Sequence, residues 1–250
     1  MRILVLNPNT STGITDRLMA AARAAAAPGT ELKALTATRG FPYISTRAEA
    51  QVGGAVALEM LAEHHQHFDA AIIAAFGDPG LAGARELFDI PVVGMAEAAM
   101  LTACMLGRRF AIVTFARALG PWYQECVESH GLLGRLAGIR MLGGAFQSVS
   151  DVQEEKEALL VELAQRAVDE DEADVVILAG APLAGLAERV KHRIPVPVVD
   201  QMAAAIKQAE GLVNLNCRKA TLGTYRRPDA KPTTGLAPAL AVRFEHKDGS

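Results

Sequence analysis

The stretches DAAIIAA, residues 69–75, and DVVILAG, residues 174–180, decide the fold of this chain. Each begins with an aspartate, continues as a short apolar run and gives way to small residues, which is typical of a buried strand. The second stretch begins at residue 174, 105 residues after the first at residue 69. A repeat over such a distance predicts that the chain is built from two similar halves.

Two further pairs of strands support the repeat. The run IPVV at residues 90–93 matches VPVV at residues 196–199, and LVL at residues 4–6 matches IVT at residues 112–114. Because three strands recur in the same order, we expect an α/β protein with two pseudo-symmetric, doubly wound parallel-sheet halves. Open sheets of this kind bind ligands at the carboxyl ends of their strands. The sequence therefore predicts an active-site cleft between the two halves.

Short apolar runs alternate with Ala-rich helical stretches, as expected for parallel βαβ units. The predicted helices cover the residues that follow the turn at 7–12 through Ala25, and roughly Ala48–His67. We expect the last residues, from Lys247 on, to be frayed. The predicted strands are Arg2–Leu6, Glu31–Thr36, Ala70–Ala75, Pro91–Met95, Arg109–Thr114, Val175–Ala179 and Pro197–Val199.

Composition and charge exclude several classes of partner. The 250 residues carry a formal net charge of −3, and no basic cluster is longer than Arg226-Arg227. This balance argues against nucleic acid and against an anionic membrane surface. No apolar run reaches the ~18 residues of a membrane span. The three cysteines, Cys104, Cys126 and Cys217, form no CxxC pair, so a disulfide framework is not expected and the pattern predicts a cytoplasmic location.

Several motifs resemble those of the hydantoin racemase family, within the aspartate/glutamate racemase superfamily. That superfamily also includes allantoin racemase, maleate isomerase and arylmalonate decarboxylase. The resemblance covers nearly the whole chain in order. The motifs are NPNT at residues 7–10, the Arg39-Gly40 loop, FGDPGL at 76–81, PVVGMAEAA at 91–99, the strand end Val198-Val199-Asp200 and KPTTGL at 231–236.

The resemblance implies two α/β halves with the site between them. By family precedent the C-terminal segment returns to complete the first half, so the expected domains are residues 1–98 plus 205–250 and residues 99–204. It also implies a small-molecule substrate, a homo-oligomer, and no cofactor or metal. Racemases of this family use two cysteines, one from each half, as base and acid on opposite faces of the α-carbon.

This chain departs from the family at both cysteine positions. The residue before the FGDPG block is Ala75, and the equivalent residue in the second half is Gly180. Neither can carry a proton, and Cys104 and Cys217 do not fall at strand ends. Asp78 is the ionisable residue nearest to the first position, and we consider it the candidate catalytic base. The structural alternative is a capping aspartate before Pro79.

The expected substrate-binding residues follow the strand ends of both halves. Asn9 and Thr10 could instead form only a turn and a helix N-cap. Tyr43 and Arg47 could close over the site. The substrate-binding set is Asn9, Thr10, Ala75, Phe76, Gly77, Thr114, Gly180 and Ala181.

The sequence gives little sign of a metal or nucleotide site. His64 and His67 could pair on one helix face, but no third metal ligand is evident. The chain has no GxGxxG or Walker motif for a nucleotide.

The function hypothesis is a hydantoin racemase-like, cofactor-independent racemase or isomerase. It would act α to a carbonyl of a small cyclic imide, ureide or carboxylate by a mechanism without cysteine. Two alternatives remain open at this point. One is a non-catalytic small-molecule-binding homologue, and the other is a decarboxylase or cis-trans isomerase of the same superfamily.

Overall fold

Two four-stranded parallel sheets form the framework of the protein in a computed structural model that describes residues 1–143 and 151–248. The first sheet has the order β2-β1-β3-β4 and the second the order β6-β5-β7-β8. This identical order confirms the prediction of two pseudo-symmetric α/β halves. The strands are β1 Arg2–Asn7, β2 Glu31–Thr36, β3 Ala70–Ile73, β4 Val92–Gly94, β5 Phe110–Thr114, β6 Leu136–Met141, β7 Val175–Leu178 and β8 Val198–Asp200.

Helices connect the strands and cover the sheets. The connections after β1 and β2 are α1 and α2, and the equivalent connections after β5 and β6 are α5 and α6. Within the described residues, none of the helices is long and apolar enough to cross a bilayer. The helices are α1 Thr12–Ala25, α2 Arg47–His64, α3 Leu81–Leu87, α4 Met95–Leu106, α5 Gly120–Ser129, α6 Val152–Asp171, α7 Leu186–Val190, α8 Gln201–Asn214 and α9 Pro238–Phe244.

The central strand pair of each sheet is parallel and begins at equivalent residues in the two halves. In the first sheet β1 pairs with β3, with Ile3 opposite Ala70. In the second sheet β5 pairs with β7, with Phe110 opposite Val175. β3 ends two residues and β7 one residue before the predicted end, because the small residues there already belong to the loops that follow.

The strand β6 was missed by the sequence analysis. It is an edge strand, every residue of it is partly exposed, and Gly138 and Arg140 interrupt its apolar pattern. An edge strand buries less apolar surface than a central one, so its hydrophobic pattern is weaker. β6 begins at residue 136, 105 residues after β2 at residue 31. The spacing of the repeat could therefore have located it.

A shared hydrophobic core joins the two halves, with buried side chains from both sheets that include Ile72 and Ile112. A second core cluster covers the other face of the first sheet. Leu240 of α9 belongs to this second cluster, together with Leu4 of β1 and Leu61 of α2. The C-terminal helix thus packs on the first half. This contact agrees with a first domain of residues 1–98 plus 205–250, a boundary that stays a prediction.

A buried cation fixes the C-terminal segment. Arg243 is 2% exposed; its Nε donates a hydrogen bond to the Leu87 carbonyl over 3.0 Å, and its guanidinium pairs with Asp89 and Asp248. The side chain of Asp248 is 6% exposed and lies 2.6 Å from Arg243 Nη1. The prediction that the chain frays from Lys247 on is therefore wrong at Asp248, because a paired carboxylate is held inside. Residues 249 and 250 lie outside the described residues.

We expect Arg243→Met to lower the free energy of unfolding by about 1–3 kcal/mol, because it leaves the Leu87 carbonyl without its donor. It also removes one of the two guanidinium partners of Asp248, which keeps Arg227 at 2.9 Å. Urea denaturation followed by circular dichroism measures the change. Arg226→Met is the matched control, since Arg226 forms an exposed pair with Asp229 that contributes little. Equal stability of the two variants would contradict the anchoring role of Arg243.

Candidate functional site

The loop after β1 is fastened to the loop before α2 by an asparagine. Asn9 is 3% exposed; its Oδ1 accepts a hydrogen bond from the Ile44 amide over 2.8 Å, and its Nδ2 donates to Asn7 Oδ1 over 2.8 Å. The Thr10 amide donates to the Phe41 carbonyl over 2.8 Å. The N-cap of α1 is Ser11 rather than either predicted residue. Asn9 and Thr10 therefore hold the loop after β1 against the loop before α2.

Aromatic rings from the two halves meet where the strands end. Phe76, after β3, lies with its ring centroid 4.7 Å from that of Tyr123 on α5. Tyr43, before α2, lies 5.6 Å from Phe115, which directly follows β5. Gly77 backs directly onto the Trp122 indole, since a Cβ on this glycine would lie 2.4 Å from the ring. The loops predicted to bind substrate thus face each other across the halves.

The other predicted residues lie at the end of β5 and shortly after β3 and β7. Thr114 is fully buried, and its hydroxyl donates a hydrogen bond to the Ala179 carbonyl over 2.9 Å. Ala75 and Ala181 are 4% and 5% exposed. Both backbone groups of Gly180 bond to the side-chain amide of Gln201, whose Oε1 accepts from the Gly180 amide over 3.0 Å. Tyr123 thus contacts three of the predicted residues, Phe76, Thr114 and Gly180. The substrate-binding role of the whole predicted set stays a prediction.

Gly180 has a backbone conformation that residues with a side chain rarely adopt, with φ +114° and ψ 135°. A Cβ at this position would lie 2.7 Å from Phe115 Cε1 and 3.4 Å from Tyr123 Oη. Strained conformations of this kind cost a residue with a side chain about 1–3 kcal/mol. Residue 180 is thus shaped for glycine, with a phenol hydroxyl directly beside it.

Two buried phenols lie in this region, one from each half. Burial raises the pKa of Tyr43, and the negative charge of Glu49 raises that pKa further. Burial also raises the pKa of Tyr123, against the opposing effect of a hydrogen bond with Thr114. Among the described residues, the Tyr43 hydroxyl is buried without a hydrogen-bond partner. Both phenols therefore stay protonated at neutral pH and can donate hydrogen bonds.

Asp78 lies in the turn after β3, with a left-handed backbone of φ +50°. Its Oδ1 accepts a hydrogen bond from the Ala96 amide and its Oδ2 one from the Glu97 amide, each over 2.8 Å. The carboxylate therefore caps α4, not the helix α3 that follows Pro79. Hydrogen bonds to both oxygens fix the orientation of the carboxylate. A catalytic role for Asp78 stays a prediction, and this geometry serves the structural alternative.

A cluster of ionisable side chains adjoins Asp78. His130 Nε2 lies 3.4 Å from Asp78 Oδ2, and His130 Nδ1 lies 3.4 Å from Glu97 Oε1. Glu97 is held in turn by the guanidinium of Arg85. Burial lowers the pKa of His130, but hydrogen bonds with Asp78, Cys126 and Glu97 outweigh burial and raise the pKa. Burial raises the pKa of the Cys126 thiol.

The sequence analysis missed His130, Tyr123 and Trp122. Cys126 and His130 are four residues apart, a spacing that places two side chains on one helix face, and this signal was available. The sequence spacing does not show which residues of the first half contact Cys126 and His130. The cluster borders a cavity of about 610 Å³, lined by Gly77, Asp78, Leu81, Ala82, Arg85, Glu97, Ser129, His130 and Tyr225.

Comparisons with known proteins agree with this architecture. The family model Asp/Glu/Hydantoin racemase matches residues 3–209. The hydantoin racemase of Pseudomonas sp. (strain NS671) is 34% identical over 239 residues, which cover 94% of this chain and 95% of that protein. The structure of allantoin racemase from Klebsiella pneumoniae has a TM-score of 0.90 at 34% identity, covering 96% of this chain and 98% of that one. Allantoin racemase from Pseudomonas fluorescens has a TM-score of 0.88 at 36% identity, covering 94% and 100%.

We expect Gly180→Ala to lower the free energy of unfolding by about 1–3 kcal/mol, because the methyl group must adopt a strained backbone and displace Phe115. Thermal and urea unfolding measure the change. Gly134→Ala is the control, since no atom lies within 4 Å of a Cβ built there. The proposed strain at residue 180 fails if the two alanine variants are equally stable.

Proposed function

Since this chain belongs to the Asp/Glu/hydantoin racemase family, we propose that it is a cofactor-independent racemase or isomerase. Its substrate is a small cyclic imide, ureide or carboxylate with a proton on the carbon α to a carbonyl. Support for this substrate class comes from relatives that cover nearly the whole chain and are named hydantoin racemase and allantoin racemase. The reaction removes the α-proton and returns a proton to either face of the same carbon.

The observation that carries the proposal is the pair of phenols at the meeting point of the halves. Removal of an α-proton places negative charge on the carbonyl oxygen of the substrate. Fixed hydrogen-bond donors aimed at that oxygen stabilise the developing enolate. The Tyr43 hydroxyl is buried and unpaired among the described residues, so it has a donor to offer a ligand. The Tyr123 hydroxyl lies beside Gly180, across the cleft from the first half.

These phenols are donors rather than bases. Their pKa values are raised by burial, so deprotonation at neutral pH is unfavourable. Residues 75 and 180 supply no thiol, and both oxygens of Asp78 already accept backbone hydrogen bonds. We infer that water in the cleft receives the α-proton while Tyr43 stabilises the enolate oxygen. The reaction then accelerates as pH rises, because hydroxide is the stronger base and the phenols remain neutral.

The proposal extends to the cell and to assembly. We propose that the protein acts in the cytoplasm as a homo-oligomer. Three apolar side chains of α4 support self-association, since Leu101, Met105 and Leu106 are 40%, 77% and 53% exposed. Clustered exposed apolar side chains are typical of protein–protein contacts.

The first test is solvent deuterium exchange at C5 of substituted hydantoins and of allantoin, followed by proton NMR. We expect Tyr43→Phe to lower the exchange rate about 10²–10³-fold, the effect of removing one donor to a developing oxyanion. The same variant keeps or raises the free energy of unfolding, because the hydroxyl it removes is buried and unpaired. Tyr225→Phe is the matched control, because Tyr225 is 48% exposed and not part of the phenol pair. Equal exchange rates in both variants would remove Tyr43 from the mechanism.

A second variant tests the site itself. Ala75→Cys places a thiol at the first family position, and we expect it to raise the exchange rate above that of the unmodified protein, because a thiolate is a stronger base than water. Gly180→Cys is unsuitable, since the backbone of Gly180 excludes a side chain. If neither the unmodified protein nor Ala75→Cys exchanges the C5 proton, the proposed substrate class is wrong.

A further inference from the structure

Three side chains of different chemistry converge beside the cleft. Asp78 comes from the turn after β3 in the first half, whereas Cys126 and His130 come from α5 and its C-terminal cap in the second half. We propose that Asp78, Cys126 and His130 bind a divalent transition-metal ion of the zinc class. This inference is independent of the racemase proposal, and its test uses no substrate.

The positions of the donor atoms suit one ion. One carboxylate oxygen, the thiol sulfur and one ring nitrogen all lie within 4.8 Å of one another. Zn²⁺ lies about 2.0–2.3 Å from such atoms, which places tetrahedral ligands roughly 3–4 Å apart. Small side-chain rotations therefore suffice to close the site. Cys126 and His130 are one helical turn apart, so both side chains point to the same side of α5.

The surrounding hydrogen bonds already orient the ligands. Asp78 accepts from the amides of Ala96 and Glu97, so its carboxylate cannot turn freely. Glu97 Oε1 lies 3.4 Å from His130 Nδ1 and is itself held by Arg85. Metal-binding histidines usually face a carboxylate with the second ring nitrogen, and metal-binding carboxylates are usually hydrogen-bonded. The cluster has both features among the described residues.

The charges balance when a divalent ion is bound. Arg85 neutralises Glu97, and the ion neutralises the Asp78 carboxylate and a Cys126 thiolate, while His130 stays neutral. A partly buried site with no net charge avoids the high cost of an unpaired buried ion. Thiolate and neutral imidazole are the forms that bind a metal ion, so the affinity rises with pH.

The donor set also selects the kind of ion. One sulfur, one nitrogen and one oxygen favour Zn²⁺ or Co²⁺ over Mg²⁺ and Ca²⁺, which prefer oxygen ligands alone. Three protein ligands leave a fourth position open. Asp78 and His130 both line the cavity of about 610 Å³, so water or a small anionic ligand can reach that position.

Cobalt titration of the chelator-stripped full-length protein tests the site. Bound Co²⁺ gives thiolate-to-metal charge-transfer absorption in the near ultraviolet and the intense visible bands of a tetrahedral ion. We expect one equivalent to bind and Zn²⁺ to displace it. Cys126→Ser should abolish the charge-transfer band and His130→Gln should lower the affinity at least 100-fold, whereas Glu97→Gln should weaken binding about 10–100-fold.

The other two thiols provide matched controls. Cys104 is partly exposed and Cys217 is exposed, and neither belongs to the cluster. Cys104→Ser and Cys217→Ser should keep the full spectrum. Circular dichroism establishes that each variant is folded, and Zn²⁺ should raise the Tm of the unmodified protein but not that of His130→Gln. A charge-transfer band that survives Cys126→Ser, or no stoichiometric binding by the unmodified protein, would overturn the assignment.

Discussion

Every feature of the site depends on one constraint, the parallel pairing of the strands in both sheets. Parallel strands place all their carboxyl ends at one edge of a sheet. Because the strand order is the same in both sheets, the loops after β1 and β3 have counterparts after β5 and β7. The shared core holds these edges together, and the ring contacts of Phe76 with Tyr123 and of Tyr43 with Phe115 cross between the halves. Loops of the two halves therefore meet at the carboxyl ends of the strands.

Residues 75 and 180 stand at equivalent points of the two halves but differ in their backbone. Ala75 carries a side chain, whereas Gly180 has a conformation that residues with a side chain rarely adopt. The side-chain amide of Gln201 satisfies both backbone groups of Gly180, so its strained turn is held in place. The space beside Gly180 is taken by Phe115 and Tyr123. A buried phenol hydroxyl, that of Tyr123, therefore lies directly beside Gly180.

The repeat of DAAIIAA in DVVILAG was enough to predict two α/β halves, because buried parallel strands leave long apolar runs in the sequence. It was not enough to find β6, whose partly exposed residues lack such a run. The loops of the site followed from the strand ends, and Asn9, Phe76 and Gly180 all lie where those loops meet. Tyr123 and His130 could not be assigned in this way. They reach the site from α5, and only the packing of one half against the other brings them to Phe76 and Asp78.

Asp78 illustrates why the identity of a residue near a strand end does not fix its role. As the nearest carboxylate to Ala75 it is the obvious base from sequence, yet both of its oxygens accept amide hydrogen bonds from the first turn of α4. The two amides fix the carboxylate and leave one side of it open to a cation. The structure places His130 on that side, with Glu97 and Arg85 behind it. Asp78 has a left-handed backbone of φ +50°, a conformation that aspartate adopts more readily than most residues. Its described contacts cap α4 and face His130 from the other half, and a catalytic role for Asp78 stays a prediction.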